Sequence, residues 1–181
     1  LGSKALEARE KDAGGNETTS YVNRQEVNEI LTLLERIENN DVALSLLQSY
    51  YEQMADPPIG VICAYAGQKR ELIRRFRQKP YSDSFRSLVK IDTVDSYQGK
   101  ENMVIIQSLV RNNPRGDCGF LDSDERVNVA MSRAMERLFI VGAASMWRER
   151  DVALGNVYRL IQERSAEDYR YKILNLSESP L

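Results

Sequence analysis

The sequence predicts an α/β domain built on a mostly parallel sheet flanked by helices, and three observations predict it. A short, continuously apolar run at residues 59–64 has the composition of a strand buried on both faces, and residues 88–94, 103–110 and 138–142 also read as strands. Between them lie segments whose apolar residues recur at helical spacing. Gly, Pro and Asn clusters punctuate the joins. Strands that alternate with helices are the signature of βαβ units and a parallel sheet.

Taken in order, residues 1–20 are polar, with Gly14-Gly15 and Thr18-Thr19-Ser20, and are expected to form a loosely ordered extension. Asn23 with Glu26 three residues on fits a capping box, and Val27, Ile30, Leu31, Leu34 and Ile37 then form the apolar stripe of a helix. Asn39-Asn40-Asp41 breaks it, a second helix runs to about Met54, and Pro57-Pro58 stops that one. After the first strand, a helix over about 68–78 carries Leu72, Ile73 and Phe76 on its apolar side, and Pro80 ends it. The strands at 88–94 and 103–110 lead to a Gly/Pro/Asn-rich loop over 111–120. Ser123 or Asp124 caps a helix expected to reach Ala134; a strand at 138–142 and helices near 145–150 and 153–165 follow. The expected organisation is an extension over 1–20, one domain over 21–165 and a tail over 166–181.

Composition narrows the function. A chain of 181 residues suits one domain with a single core, and 42% hydrophobic residues are enough to build it. No apolar run is long enough to cross a bilayer, and the N-terminus has no apolar signal region. Two cysteines, Cys63 and Cys118, cannot make a disulfide framework, which favours an intracellular compartment, cytoplasmic or nuclear. The absence of histidine excludes histidine-based triads and most catalytic zinc sites. The net charge of −2 hides an asymmetry: residues 1–58 net −6, whereas residues 66–90 net +6. Within the basic block Arg70, Arg74 and Arg77 fall at i, i+4 and i+7, one stripe on a helix and a candidate phosphate footprint. The same stripe also fits an ordinary solvated face.

Parallel α/β sheets bind ligands at the carboxyl ends of their strands, which points to the segments after Ala64, Ile91 and Val110. In residues 91–101, the hydroxyls of Thr93 and Ser96 with Gly99 suit phosphate, because hydroxyl and backbone N–H groups donate and glycine permits close approach. Glu101 is a carboxylate able to accept from a sugar hydroxyl. In residues 119–134, Val127, Ala130, Met131 and Ala134 give a helix its buried face, and Arg126 and Arg133 lie seven apart. On one helix face they would reach a polyphosphate together, with a fork geometry that lysine lacks. A polar turn and a surface arginine pair account for the same residues without a ligand.

Together these segments resemble superfamily 1 helicases, and most closely the 1B group typified by the nonsense-mediated-decay helicase and senataxin. Gly60-Val61-Ile62-Cys63-Ala64-Tyr65-Ala66-Gly67-Gln68 is similar to motif IV, G-V-I-T-P-Y-x-x-Q. Val94-Asp95-Ser96-Tyr97-Gln98-Gly99-Lys100-Glu101 resembles motif V, V-D-x-F-Q-G-x-E. Residues 119–134 resemble motif VI, G-F-L-x-D-x-R-R-x-N-V-A-x-T-R-A, and Ser20 to Glu26 the S-x-x-N-x-x-E opening of the same domain. The order is the family's, and the resemblance covers about residues 12–143.

The resemblance implies a RecA-like fold, the second of two such domains with ATP between them. It implies that Arg133 is the arginine finger and Arg126 a second phosphate contact. Gln98, Gly99 and Glu101 would approach the nucleotide, with Glu101 on the ribose. Thr93, Asp95 and Ser96 would face the nucleic-acid backbone, as would Tyr65 and Gln68. Separately, the basic stripe itself leads to the expectation that Arg70, Arg74 and Arg77 help to bind the strand. The implied partners are the first RecA-like domain and single-stranded RNA or DNA, moved along 5′ to 3′, with no membrane. Mg²⁺ would accompany ATP, held mainly by the first domain. Cys63-Ala64 stands for T-P in motif IV, and Glu125 for the first arginine of R-R. The 181 residues contain no G-x-x-x-x-G-K-[ST] and no acidic Walker B strand, so the chain is expected to complete an ATP site and to show no appreciable ATPase alone. The alternative is a RecA-like binding module without catalysis.

Overall fold

The computed structural model of the chain describes residues 7–97, 99 and 101–174. An antiparallel hairpin comes first, with β1 Ala8–Lys11 and β2 Glu17–Val22. The main sheet is formed by β3 Ile59–Cys63, β4 Val89–Thr93, β5 Asn102–Ser108 and β6 Ala134–Val141. Its order is β4-β3-β5-β6 and all three pairings are parallel. α1 Arg24–Glu38, α2 Asp41–Met54, α3 Ala66–Gln78 and the short α4 Asp83–Ser87 cover one face. α5 Asp124–Met131 and α6 Ala153–Ser165 cover the other.

The two-residue period of the strands sorts the core into these layers. Val61, Cys63 and Ile106 point toward Val27, Ile30, Leu34 and Leu72. Ile62 and Ile105 meet Ala130, and Ala64 and Leu109 join Val127, Trp147 and Leu154. All five residues of β3 are buried, which explains its uninterrupted apolar run. Each fully buried aliphatic side chain here contributes about 1.5–3 kcal/mol. Gly60 makes one of these contacts possible. A Cβ there would meet the Tyr97 hydroxyl, and would stand 2.7 Å from Asn102 Oδ1 and 2.8 Å from Ile105 Cδ1.

The helix starts follow their caps. Asn23, Asn40, Ser82 and Ser123 each accept a hydrogen bond from the N–H three residues on. Such a cap is worth about 1 kcal/mol. Three differences from expectation bear on the site. The segment expected as a loose extension forms the β1–β2 hairpin, because the Asp12 carboxylate accepts from the Gly14 and Asn16 N–H groups at 2.9 Å and Gly15 takes φ 84°. α4 occupies residues between Pro80 and β4 where no helix was expected. α5 stops at Met131 and not at Ala134, and β6 starts at Ala134 and not at 138. Pairing with β5 overrides the helical spacing there: Asn102 N donates to Arg133 O at 3.0 Å and Ala134 sits in register with Asn102.

Among the described residues, no helix is long and apolar enough to cross a membrane. Nor does any group of three or more acidic or sulfur ligands stand where it would hold a metal ion.

Candidate nucleotide and nucleic-acid site

The residues expected to bind divide between the two ends of the sheet. At the carboxyl ends of β3, β4 and β5 stand Tyr65, Thr93, Asp95, Ser96 and Arg126. Thr93 closes β4 and donates through Oγ1 to Ser96 Oγ at 3.2 Å. Asp95 and Ser96 lie exposed in a 3-10 turn over Asp95–Tyr97. Arg126, in the first turn of α5, holds its Nε 3.8 Å from Asp95 Oδ1 and its guanidinium 3.5 Å from the centroid of the Phe120 ring. Tyr65 precedes α3, and its ring meets Tyr21 edge-on at 5.3 Å. Its hydroxyl accepts from Phe120 N at 3.1 Å and from Arg111 Nη1 at 3.2 Å. Tyr65 therefore presents to solvent only part of an apolar ring.

Gln68 lies inside. It is fully buried, it donates to Ser108 Oγ at 2.9 Å and to Asn23 O at 3.2 Å, and it accepts from Asn23 N at 2.9 Å. Every polar atom of its amide is engaged within the chain, so a contact to a strand requires this network to open.

At the opposite, amino end of β5 and β6 stand Gly99, Glu101 and Arg133. Gly99 takes φ 78°, a left-handed backbone that glycine adopts without cost. Among the described residues nothing lies within 4 Å of the position a Cβ would take there, so this backbone faces open space. Glu101 is exposed immediately before β5. Arg133 lies in the turn after α5, where its Nε donates to Val129 O at 3.0 Å, while its two terminal nitrogens make no bond among the described residues. Its backbone carbonyl is tied to Asn102 N, which brings Arg133 beside Glu101. The common helix face expected for Arg126 and Arg133 is not formed, because α5 ends between them. The Arg126 side chain turns toward the Asp95 turn, and that of Arg133 folds back on the last turn of α5 at Val129 O. Gln98 lies outside the described residues.

The basic stripe is partly neutralised. Arg70 is gripped by both carboxylate oxygens of Glu10, with its Nε 2.6 Å from Oε1. Arg74 is paired to Glu71 at 2.8 and 3.0 Å. Arg77 is exposed and has no ion pair among the described residues. Lys69 adds a further cation, bound to Asp92 at 2.7 Å.

The protein family described as AAA domain matches residues 4–145. The chain belongs to this family, as a superfamily 1B helicase domain. Among its relatives, the Schizosaccharomyces pombe protein named "Helicase required for RNAi-mediated heterochromatin assembly 1" is 39% identical over 127 residues, 63% of this chain and 12% of that protein. "Helicase sen1" of the same organism is 33% identical over 139 residues, 77% of this chain and 8% of its own length. The Drosophila melanogaster "Regulator of nonsense transcripts 1 homolog" is 40% identical over 88 residues, 46% of this chain and 7% of that protein. The helicase domain described here thus spans about a tenth of the length of these relatives.

Three features of this helicase domain escaped the sequence reading. Phe120 was part of a quoted motif and was given no role, yet it is the platform under Arg126. Arg111 is buried and bridges Glu7 and Asp117, both at 3.0 Å, with its guanidinium 4.5 Å from the centroid of the Tyr21 ring. It ties the hairpin segment to the loop after β5. Glu7 also receives Asn113 Nδ2 at 3.3 Å. Glycines flanked by two polar runs at 12–16 carried the signal for the hairpin, and a hairpin would have placed Glu7 and Glu10 against the basic residues of the domain.

Proposed function

We propose that the chain is the second RecA-like domain of an ATP-dependent superfamily 1 helicase that acts on single-stranded RNA or DNA. The observation that carries this reading is the grouping of Gly99, Glu101 and Arg133 at one end of β5 and β6, with the Gly99 backbone facing open space and the terminal nitrogens of Arg133 free of bonds among the described residues. In this reading Arg133 reaches the γ-phosphate of ATP held by the first RecA-like domain, and Glu101 accepts from the ribose. Gln98 and the Gly99 backbone line the nucleotide. A guanidinium so placed stabilises the charge that spreads over the transferred phosphoryl oxygens. Arg126 contacts a phosphate only by leaving Asp95, so it exchanges one anion for another. ATP supplies the free energy for translocation, and its Mg²⁺ is held by the first domain.

The opposite end of the sheet takes the strand. Thr93 and Ser96 offer hydroxyls to its phosphates, the exposed edge of Tyr65 packs on it, and Arg77 with Arg70 and Arg74 supplies positive charge. Asp95 is the anion of this group, and it pairs with Arg126.

The test is ATP turnover by the intact protein in the presence of single-stranded RNA or DNA. Arg133→Ala is expected to lower kcat about 10³-fold or more with stability changed by no more than about 0.5 kcal/mol. The 181 residues alone are expected to show no appreciable turnover. Wild-type turnover by Arg133→Ala would sink this reading and leave a RecA-like binding module in its place.

A further inference from the structure

The S-x-x-N-x-x-E segment does more than start a helix. Asn23 does cap α1, accepting from Glu26 N at 3.2 Å. Glu26 does not return the bond to the Asn23 N–H, as a capping box would; that N–H goes to Gln68. Both side chains reach instead across the domain to Val110, the second residue past the end of β5. Val110 N donates to Glu26 Oε2 at 2.8 Å, and Val110 O accepts from Asn23 Nδ2 at 3.2 Å. Ser108 Oγ donates to Glu26 Oε2 at 2.7 Å, and Asn23 Nδ2 also donates to Glu26 Oε1 at 3.1 Å. Asn23, Glu26, Gln68, Ser108 and Val110 are all buried.

What these bonds hold is a costly backbone. Val110 has φ 71°. A β-branched residue at positive φ is a genuine outlier, because its Cβ crowds the neighbouring carbonyl, and it persists only where its surroundings impose it. Here both backbone polar groups of Val110 are gripped from one helix turn. The left-handed kink turns the chain out of the sheet and into Arg111, whose buried pairs with Glu7 and Asp117 continue the path. From there the chain reaches Phe120 and α5, and α5 carries Arg126 at its start and delivers Arg133 just past its end.

We infer that Asn23 and Glu26 are positioning residues that clamp Val110 in its left-handed conformation and thereby seat α5 with Arg126 and Arg133. The inference rests on the proposed ATP site for its catalytic consequence and on the hydrogen bonds alone for the clamp. The same network extends through Gln68 into α3, so the helix bearing the basic stripe and the exit of β5 are fastened to one point.

The substitution that isolates the clamp is Asn23→Ser. Serine keeps the cap on α1 and removes the two amide bonds to Val110 O and Glu26. In the intact helicase it is expected to lower kcat about 10- to 100-fold, as for a misplacement of about 1 Å, with KM for ATP changed less than about 3-fold. Val110→Gly is the rescue, since glycine takes φ 71° unaided. Asn23→Ser with Val110→Gly is expected to return to within about 3-fold of wild-type kcat and, since glycine also removes a buried valine side chain, to lose less midpoint relative to Val110→Gly than Asn23→Ser loses relative to wild type. Wild-type turnover and midpoint in Asn23→Ser would overturn the clamp, and so would midpoint losses of Asn23→Ser and Val110→Gly that simply add in the double variant. Arg133→Ala, assayed beside them, separates the two ideas. If it alone retains full turnover the ATP site fails, while non-additive midpoints of Asn23→Ser and Val110→Gly still decide the clamp.

Discussion

The guanidinium of Arg126 lies over the ring of Phe120 at 3.5 Å from its centroid, with Asp95 Oδ1 3.8 Å from Nε. Two unlike partners thus hold one cation at the junction of the β4 turn and α5. A cation on an aromatic face contributes about 0.5–2 kcal/mol, while an exposed ion pair contributes about 0–1. Phe120 is therefore the stronger support. Phe120→Ala in the intact helicase is expected to lower kcat about 2- to 30-fold, and Phe120→Trp to stay within about 2-fold of wild type. Steady-state ATP turnover checks both; equal turnover in the alanine variant would reduce Phe120 to packing.

The basic face of α3 makes a graded prediction. Arg70 and Arg74 already hold carboxylates, and Arg77 has no ion pair among the described residues. A cation that releases no internal partner contributes most to strand binding. Arg77→Ala is expected to flatten the slope of log affinity against log salt by about 0.7, and Arg74→Ala by less. Titration of labelled single strands at several salt concentrations reads the slopes. No change in any variant would return this face to solvated surface.

Burial pushes the Glu26 carboxyl from its ordinary 4.5 up to about 8, against the hydrogen bonds from Ser108 and Val110, which favour the anion; the nearby Glu7 carboxylate adds to the rise. The folded state thus holds the proton more tightly than the unfolded chain. The resulting stability is complete below pH 4.5 and falls as the pH climbs toward 8, by a few kcal/mol in all. Urea unfolding at about pH 5 and pH 8 is expected to show this loss, and Glu26→Gln to flatten it. A steeper profile in Glu26→Gln would contradict the assignment.

Gln107 is fully buried in β5 with neither amide atom bonded among the described residues. It stands between Ile105 and Leu109, which pack into the face under α5 and α6. Replacing a buried unpaired amide by an apolar side chain of similar size removes its desolvation cost. Gln107→Leu is expected to raise stability by about 1–3 kcal/mol, measured by denaturant midpoint. A lower midpoint would mean that the amide has a partner of its own.

Much of the fold was legible residue by residue. The apolar runs at 59–64 and 103–110 are the central strands, and Asn23, Ser123 and Pro57-Pro58 mark real helix boundaries. These are local signals, settled by spacing and capping within one turn. Ala134 reads as the end of a helix and residues 135–137, Met-Glu-Arg, as part of no strand, because these residues are exposed and polar or isolated in character. Only their neighbour β5 makes them strand. The hairpin escaped for a similar reason, since its strands are polar and gain their place from Glu7 and Glu10 meeting arginines far along the chain.

The sequence by itself determined the class of fold, the order of the central strands and main helices and the family of the domain, because hydrophobic period, caps and motif spacing are properties of short stretches. The tertiary structure decided which residues share a site. Arg126 and Arg133, seven apart, stand at different ends of the sheet, one beside Asp95 and the other with its carbonyl on Asn102 N, and α5 stops between them. Glu26 and Val110, 84 apart, share a hydrogen bond because α1 crosses the end of β5. Sheet pairing and buried hydrogen bonds join residues distant in sequence, and no local pattern specifies such partners.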